Sequence, residues 1–491
     1  MNAKEAFVEN PAAGTVAPAA SVTPLVSADG LPAVFSAMQA ASRADLPVSL
    51  AIRRERLDAL QALVSDNVDA LAAAINADFG QRSRHETRLL EVFPALEGLR
   101  HTRRHLARWM APSRRPVSIL FQPGRARLMP QPLGVVGIVV PWNYPLLLAV
   151  APLAAALAAG NRAMVKMSEY TPRTGELFAR LAARYIDPAV LTVVLGDAAA
   201  GAAFASLPFD HLLFTGSTAV GRQVMAAAAP NLTPVTLELG GKSPVIVGPD
   251  YPLAQAAERI VVGKLLNAGQ TCIAPDYVFV PTAQREAFVS ALRNVVARLY
   301  PDLGRSPDYS AIINARHFDR LAGYLDEAVT MGARALPLSD ASAEPVRRCF
   351  PPVALLDADD RMRVMQDEIF GPLLPVLGYG QLDEAIAYVN AHPRPLALYV
   401  FEQDRTRLDR VLNRTVAGGV TVNDTLLHIA QEELPFGGVG PSGMGHYHGY
   451  EGFKTFSKMK PVFHQSRLNG MALFNPPYGP LFERLVRFLI R

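Results

Sequence analysis

From residue 50 to about 108, apolar residues recur at helical spacing, as at Ile52, Leu57, Leu60 and Leu63, with charges on the other face. The spacing predicts amphipathic helices. After the breakers Pro112, Pro116 and Pro123-Gly124 the pattern changes to short apolar runs alternating with helical stretches. The runs 135–140, 163–165, 191–195 and 211–215 predict strands of a parallel α/β sheet. A second alternating region follows Gly240-Gly241, with strands expected at 243–247, 276–280 and 373–378 and helices at 253–266, 284–299 and 315–331. Two α/β lobes therefore meet near residue 240. Ligands of open α/β sheets sit at the carboxyl ends of strands, so the joint is where chemistry is expected. No internal repeat is present.

No Asp, Glu, Lys or Arg occurs between Arg127 and Arg162, which raises the question of a membrane span. A span needs about 20 uninterrupted apolar residues. Here Pro132, Pro141, Asn143, Pro145 and Pro152 interrupt the stretch, and proline removes a donor and breaks helices. The reading is a buried strand at 133–140, a turn and a buried helix at 146–159, with no transmembrane segment. Residues 1–30, rich in Ala, Pro, Val and Ser and without a continuous apolar core, are expected to form a flexible extension and not a secretory leader.

At 491 residues the chain exceeds the roughly 250–300 at which one hydrophobic core stops growing. The net charge of +4 is the small difference of 48 basic and 44 acidic side chains, too weak a field to select nucleic acid or anionic membranes. Two cysteines do not make a disulfide framework, and a reducing, cytoplasmic setting is expected.

Cys272 lies in Asn267-Ala-Gly-Gln-Thr-Cys-Ile-Ala-Pro275, where Gly269 and Pro275 force irregular backbone. A nucleophilic thiol needs backbone N–H groups, a positive dipole or a base nearby. Cys349 has no such loop and reads as non-catalytic. Glu238, between Leu237 and Leu239, is placed for partial desolvation, which lifts a carboxyl toward a useful general base. Asn143 follows a buried strand, where its amide suits a developing oxyanion. Phe214-Thr-Gly-Ser-Thr-Ala-Val-Gly221 reads as a strand, a glycine turn and a helix N-terminus, a place for phosphate. His446 and His448 lack further ligands, so no metal site is expected.

Together Pro141-Trp-Asn-Tyr-Pro145, Val165-Lys-Met-Ser-Glu169, Phe214 to Gly221, Leu237-Glu-Leu-Gly-Gly-Lys242, Gly269-Gln-Thr-Cys272, Glu368-Ile-Phe-Gly-Pro372 and Leu434-Pro-Phe-Gly-Gly438 resemble the aldehyde dehydrogenase superfamily, over about residues 40 to 465. The resemblance implies an α/β fold with a Rossmann-type dinucleotide-binding domain (31–113 and 134–240), an α/β catalytic domain (241–430) and a bridging and oligomerisation element (114–133 and 431–465). An amphipathic tail follows at 466–491. It implies oxidation of an aldehyde to the acid, with Cys272 as nucleophile, Asn143 and the Cys272 N–H holding the oxyanion, and Glu238 activating water. CoA-acylating relatives lack that glutamate, so a free-acid product is implied.

By the same resemblance Lys166 and Glu169 hold the adenosine ribose, Gly216, Ser217 and Gly221 lie by the pyrophosphate, Glu368 holds the nicotinamide ribose with Phe370 near the ring, and Trp142 and Val220 are further cofactor-binding residues. Met167 stands where many members carry proline. A carboxylate on the ribose disfavours a 2′-phosphate and implies NAD, although members of this class also use NADP. The Pro435 to Gly445 stretch resembles class 3 and fatty-aldehyde dehydrogenases, typically homodimers, and the 460–479 segment resembles the bacterial coniferyl aldehyde dehydrogenase branch. A coniferyl or other aromatic aldehyde is implied, with a fatty aldehyde as the alternative and redox-independent thiol acyl transfer or ester hydrolysis as the reading from another class. The last eleven residues suit covering the tunnel or a partner subunit, touching a membrane surface, or packing on the chain's own core.

Overall fold

Ser49 opens the first long helix of the 50–110 region, its hydroxyl accepting the Ile52 N–H at 3.3 Å, as an N-cap should. Helices Leu50–Ser65, Val68–Phe79 and Phe93–Met110 follow, burying Leu57, Leu60 and Leu63, then Leu71, Ile75 and Phe79, then Leu99, Leu106 and Trp109. One residue departs from the expected stripe: Ile52 is exposed, and Arg53 takes the buried position. The Arg53 Nη1 donates to the Ala158 carbonyl at 2.9 Å and its Nε to the Val48 carbonyl at 3.1 Å. A guanidinium at a helix C-terminus satisfies orphan carbonyls and the dipole together, which outweighs burying one more isoleucine. The computed structural model describes residues 30–490, and all of the expected N-terminal extension but Gly30 lies outside them.

The first α/β sheet has strands Val135–Val139, Arg162–Lys166, Leu191–Val194, His211–Thr215 and Val235–Glu238, all parallel, with Gly443–Met444 added antiparallel at one edge. Two strands lie on each side of Val135–Val139 in a left-right order that reverses there, between it and His211–Thr215. Such a reversal opens a crevice at the carboxyl ends. Helix Leu147–Ala158, almost wholly buried and carrying Pro152, makes the crossover between the first two strands. The apolar stretch that suggested a membrane span is thus a core strand and its crossover helix. No described helix is long and apolar enough to cross a membrane.

The second sheet has seven strands in the order Arg334–Pro337, Val353–Leu356, Leu373–Tyr379, Tyr277–Pro281, Pro244–Val247, Ala397–Phe401 and Gly419–Val422, antiparallel only at the first pair. The two sheets are joined by the five residues between Glu238 and Pro244, the joint expected near 240. A third sheet is antiparallel and small: Ser113–Arg115, Arg125–Pro132 and Ser457–His464. The tail helix Pro480–Leu489 buries no residue, and Leu481, Phe488 and Leu489 are exposed. Packing on the chain's own core is therefore not what the tail does: its Phe482 meets only Phe474 and Tyr478 of the same segment among the aromatic pairs.

Candidate active site

Cys272 is half-buried at the end of a loop that no regular element could supply. Helix Leu253–Leu265 stops, and Asn267, Ala268 and Gly269 take positive φ of 51°, 52° and 78° in succession. Asparagine and glycine tolerate this region, whereas alanine there is strained. Gly269 is also required sterically, since a Cβ would lie 2.4 Å from the Gly371 carbonyl oxygen.

Hydrogen bonds hold the strained turn in place. The Asn267 N–H donates to Glu86 at 3.1 Å, and Gln270 donates to the Asn267 and Ala311 carbonyls at 2.9 and 3.0 Å while accepting the Ile313 N–H at 2.9 Å. Three bonds tie this loop to the 141–145 turn of the other lobe. Asn143 Nδ2 donates to the Gln270 carbonyl at 3.1 Å, Asn267 Nδ2 to the Asn143 carbonyl at 3.1 Å, and the Tyr144 and Thr271 hydroxyls meet at 2.7 Å. One hydrogen of the Asn143 amide is thus committed, and the second is free for an oxygen in the cavity that Asn143 lines.

Beneath lies Arg82, fully buried, donating to the Asn143 carbonyl at 2.8 Å and paired with buried Glu91 at 3.1 Å. Glu91 in turn accepts the Leu146 and Leu147 N–H groups at 2.7 and 3.2 Å, satisfying the N-terminus of the crossover helix. Arg82, Glu86, Glu91, Asn267 and Gln270 were not marked as functional by the sequence. Charged residues in an amphipathic stretch look like surface, and only the fold reveals that this face is inside.

The opposite wall is built differently. Glu238 ends its strand opposite Thr215 and Gly443, only 3 % exposed, and neither carboxylate oxygen has a hydrogen-bond partner. Burial alone holds its carboxyl well above the ordinary range. Glu368 is raised to about 8, chiefly by burial and then by Asp276, against the Gly241 N–H, Lys242 and Arg320, which lower it. Its Oε1 is unpartnered too. Burial, then the Glu368 and Glu238 charges, push the Cys272 thiol up to about 12, while the Cys272 and Ile273 N–H groups pull the other way.

A single cavity of about 820 Å³ brings Trp142, Asn143, Gly216, Ser217, Glu238, Cys272, Glu368 and Phe370 together. That volume falls within the roughly 300–1,000 Å³ of small-molecule and cofactor sites. Lys166, Glu169, Val220 and Gly221 do not line it. Lys166 is buried beyond the strand end, donating to the Met167 carbonyl at 2.9 Å with Glu169 3.8 Å away. Ser217 caps helix Thr218–Ala228 through the Val220 N–H at 3.4 Å, and a Cβ on Gly221 would strike Leu239 at 2.6 Å, so this glycine serves close packing. Trp142 stands edge-on to Phe370 at 5.3 Å and 5.1 Å from His317, a half-buried cavity histidine that no sequence motif marks, whose imidazole pKa is lowered to about 4, chiefly by desolvation. Lys264, Lys242 and Asp276 form a further buried charged group behind Glu368: Lys242 pairs with Asp276, and burial lowers Lys264 to about 8. Cys349 is buried away from the cavity, and both thiols are free.

A dinucleotide fits these residues. Glu238 and Glu368, both with an unpartnered carboxylate oxygen, are among the residues that line the cavity, and the chain at Gly240 passes so close to Glu368 that any Cβ would strike its carboxylate. Thr215 to Thr218, a strand end running into a helix N-terminus, line the same space.

The profile of the Aldehyde dehydrogenase family matches residues 2–462. A probable coniferyl aldehyde dehydrogenase of Pseudomonas aeruginosa is 54% identical over 456 residues, 93% of this chain and 95% of the relative. The coniferyl aldehyde dehydrogenase of a Pseudomonas strain is 47% identical over 470 residues, 95% and 97% of the two chains. The solved structure of the substrate-bound state of Staphylococcus aureus AldH superposes with a TM-score of 0.89 at 36% identity, covering 94% of this chain and 99% of that one.

Proposed function

Because this chain belongs to the aldehyde dehydrogenase family, and is an NAD(P)-dependent aldehyde dehydrogenase, we propose that it oxidises coniferyl or a related aromatic aldehyde to the acid with Cys272, Glu238 and Asn143 as its catalytic residues. One observation carries this reading: a sulfur, an unpartnered buried carboxyl and an amide with a spare N–H line one cavity at the carboxyl ends of the parallel strands.

Cys272 Sγ bonds to the aldehyde carbon once its proton has left, and the carbonyl oxygen takes the negative charge. The free Asn143 N–H and the Cys272 backbone N–H donate to that oxygen, the kind of preorganised donor pair worth several kcal/mol at a developing oxyanion, roughly 3–4 for a single donor. A nicotinamide dinucleotide held by the cofactor residues would supply the acceptor for the hydride that leaves the same carbon as its carbonyl re-forms. Glu238 then takes a proton from water, the water oxygen attacks the thioester carbon, and the C–S bond breaks to release the acid and restore the thiol. A carboxyl raised by burial suits this step, because its carboxylate is a stronger base than an ordinary one.

Lys166 and Glu169 would hold the adenosine ribose, with Gly216, Ser217, Val220 and Gly221 near the pyrophosphate and Trp142, Glu368 and Phe370 near the nicotinamide. Glu169 is exposed and would repel a 2′-phosphate, which supports NAD over NADP. The division into cofactor, catalytic and bridging domains belongs to the same proposal, as does a cytoplasmic homodimer formed through the small antiparallel sheet, on which Phe463 is exposed beside Ile119 to Phe121. The aromatic substrate is supported by the similarity to the two coniferyl aldehyde dehydrogenases of Pseudomonas, one of them a probable one.

The test is a rate comparison of coniferaldehyde, benzaldehyde and long-chain alkanals with NAD and with NADP, followed by absorbance of the reduced nicotinamide. Coniferaldehyde with NAD is expected to give the highest kcat/KM. Faster turnover of alkanals would move the assignment to fatty aldehydes, and ester cleavage without dinucleotide binding would replace the redox reading.

A further inference from the structure

On the outer side of helix Phe93–Met110, remote from the cavity lining, His101 and His105 stand one turn apart, their ring centroids 4.3 Å from each other. Glu433, from the loop that leads into Leu434-Pro-Phe-Gly-Gly, reaches across so that its Oε1 lies 3.3 Å from His101 Nε2. One donor atom from each of the three lies within 4.8 Å of the others. The geometry points to a binding site for a divalent transition metal, Zn²⁺ in the first instance, formed by His101, His105 and Glu433.

Three features of the site fit a metal better than an ordinary stack of rings. His101 Nε2 is buried and makes no hydrogen bond, its 3.3 Å approach to the Glu433 carboxylate being an ion-pair contact only, and native structures seldom leave such an atom without a hydrogen bond. His105 Nδ1 lies 2.9 Å from the His101 carbonyl, which can only accept, so Nδ1 carries the proton and Nε2 keeps its lone pair. A second-shell carbonyl of this kind fixes the ligating tautomer in metal sites. The carboxylate, 63 % exposed, is free to move, as it must be, because bonds of about 2.1 Å in a tetrahedral shell bring donor atoms closer than they stand here. Two imidazoles and one carboxylate suit zinc and its neighbours, whereas calcium and magnesium prefer all-oxygen shells. Arg104 opposes a cation and Glu97 favours it, both close enough to act on His101. A bound ion would join this helix to the loop before Phe436, which pairs through its backbone with buried Tyr447.

The experiment is calorimetric titration of the full chain with Zn²⁺, repeated on a Cys272→Ser/Cys349→Ser double variant that removes the competing thiols. One equivalent is expected to bind in both, and the thermal midpoint should rise by about 3 °C at metal a hundredfold above Kd. His101→Gln and the surface change Glu433→Gln should each weaken binding more than about tenfold, and the Co²⁺ form should show ligand-field bands without thiolate charge transfer. Binding that vanishes with the cysteines, or that survives both the His101 and the Glu433 changes, would overturn the assignment. If His101→Gln does not fold, Glu433→Gln decides alone, its side chain lying mostly in solvent.

Discussion

The loop bearing Cys272 and the wall bearing Glu238 and Glu368 face one cavity but satisfy opposite rules. Around the thiol each of Asn143, Asn267, Gln270, Glu86, Glu91 and Arg82 makes at least one hydrogen bond to another part of a continuous buried network, with Arg82 Nε and Nη2, Glu91 Oε1 and Asn267 Oδ1 left without one. Across the cavity Glu238 has no partner at all, and Glu368 leaves one oxygen unbonded. Buried carboxyls left unpartnered cost stability, because desolvation of a charged group is not repaid. The difference teaches that the loop is built to be immobile and the wall to receive something. The first side spends its hydrogen bonds on position, while the second leaves acceptors unused, as the proposed roles of Glu238 and Glu368 toward water and cofactor require.

The sharpest way to break this comparison is to remove the sulfur. Cys272→Ala is expected to lower aldehyde oxidation by about 10⁴-fold or more, with dinucleotide binding by calorimetry unchanged. Retained activity would show that the rigid loop positions nothing reactive. Next is the unpartnered wall: Glu238→Gln should reduce kcat by about 10²–10⁴-fold, and intact-mass spectrometry should find the acyl-enzyme accumulating. An enzyme that stays unacylated at steady state would deny Glu238 the role of base in deacylation.

The buried network is tested through Arg82→Met. Removing one member of a buried ion pair leaves Glu91 uncompensated and should cost about 3–5 kcal/mol, read as a lower denaturant midpoint, with kcat falling because the Asn143 turn loses its anchor. A loss within experimental error would mean that the frame does not depend on this guanidinium.

The smallest effect is a pH dependence. Glu368 is raised to about 8 in the fold, so the folded state holds its proton more tightly than the unfolded chain does. Its contribution to stability is therefore complete below about pH 4.5 and is lost as pH rises through about 8. Melting of the ligand-free protein from about pH 5 to 9 should show this decline, and Glu368→Gln should flatten it, leaving the variant the more stable of the two at the alkaline end. Parallel curves would place the titration elsewhere.

Much of the architecture was legible because it rests on periodicity. Alternating runs gave seven of the parallel strands to within a residue or two, as at His211–Thr215, but not Val353–Leu356, Ala397–Phe401 or Gly419–Val422, and the Gly240-Gly241 joint marked where one sheet ends and the next begins. The motif residues were legible as well, since a cysteine after Gly-Gln-Thr or a glutamate between leucines is unusual enough to be noticed. The network beneath was not: Arg82 and Glu91 sit in a helical stretch whose charges read as solvated, and His317 has no distinctive neighbours. Their burial depends on which helix face meets the other lobe.

By itself, then, the order of amino acids determined the elements, the lobes and the identities of the reactive groups, because local pattern and short-range chemistry act between near neighbours. Only the tertiary structure decided that Ile52 would be exposed and Arg53 buried, that positions 143, 238 and 272 would share one cavity, and that a carboxyl would be stripped of partners there. Those outcomes depend on desolvation and on hydrogen bonds between residues more than a hundred positions apart, a quantity that no window of sequence contains.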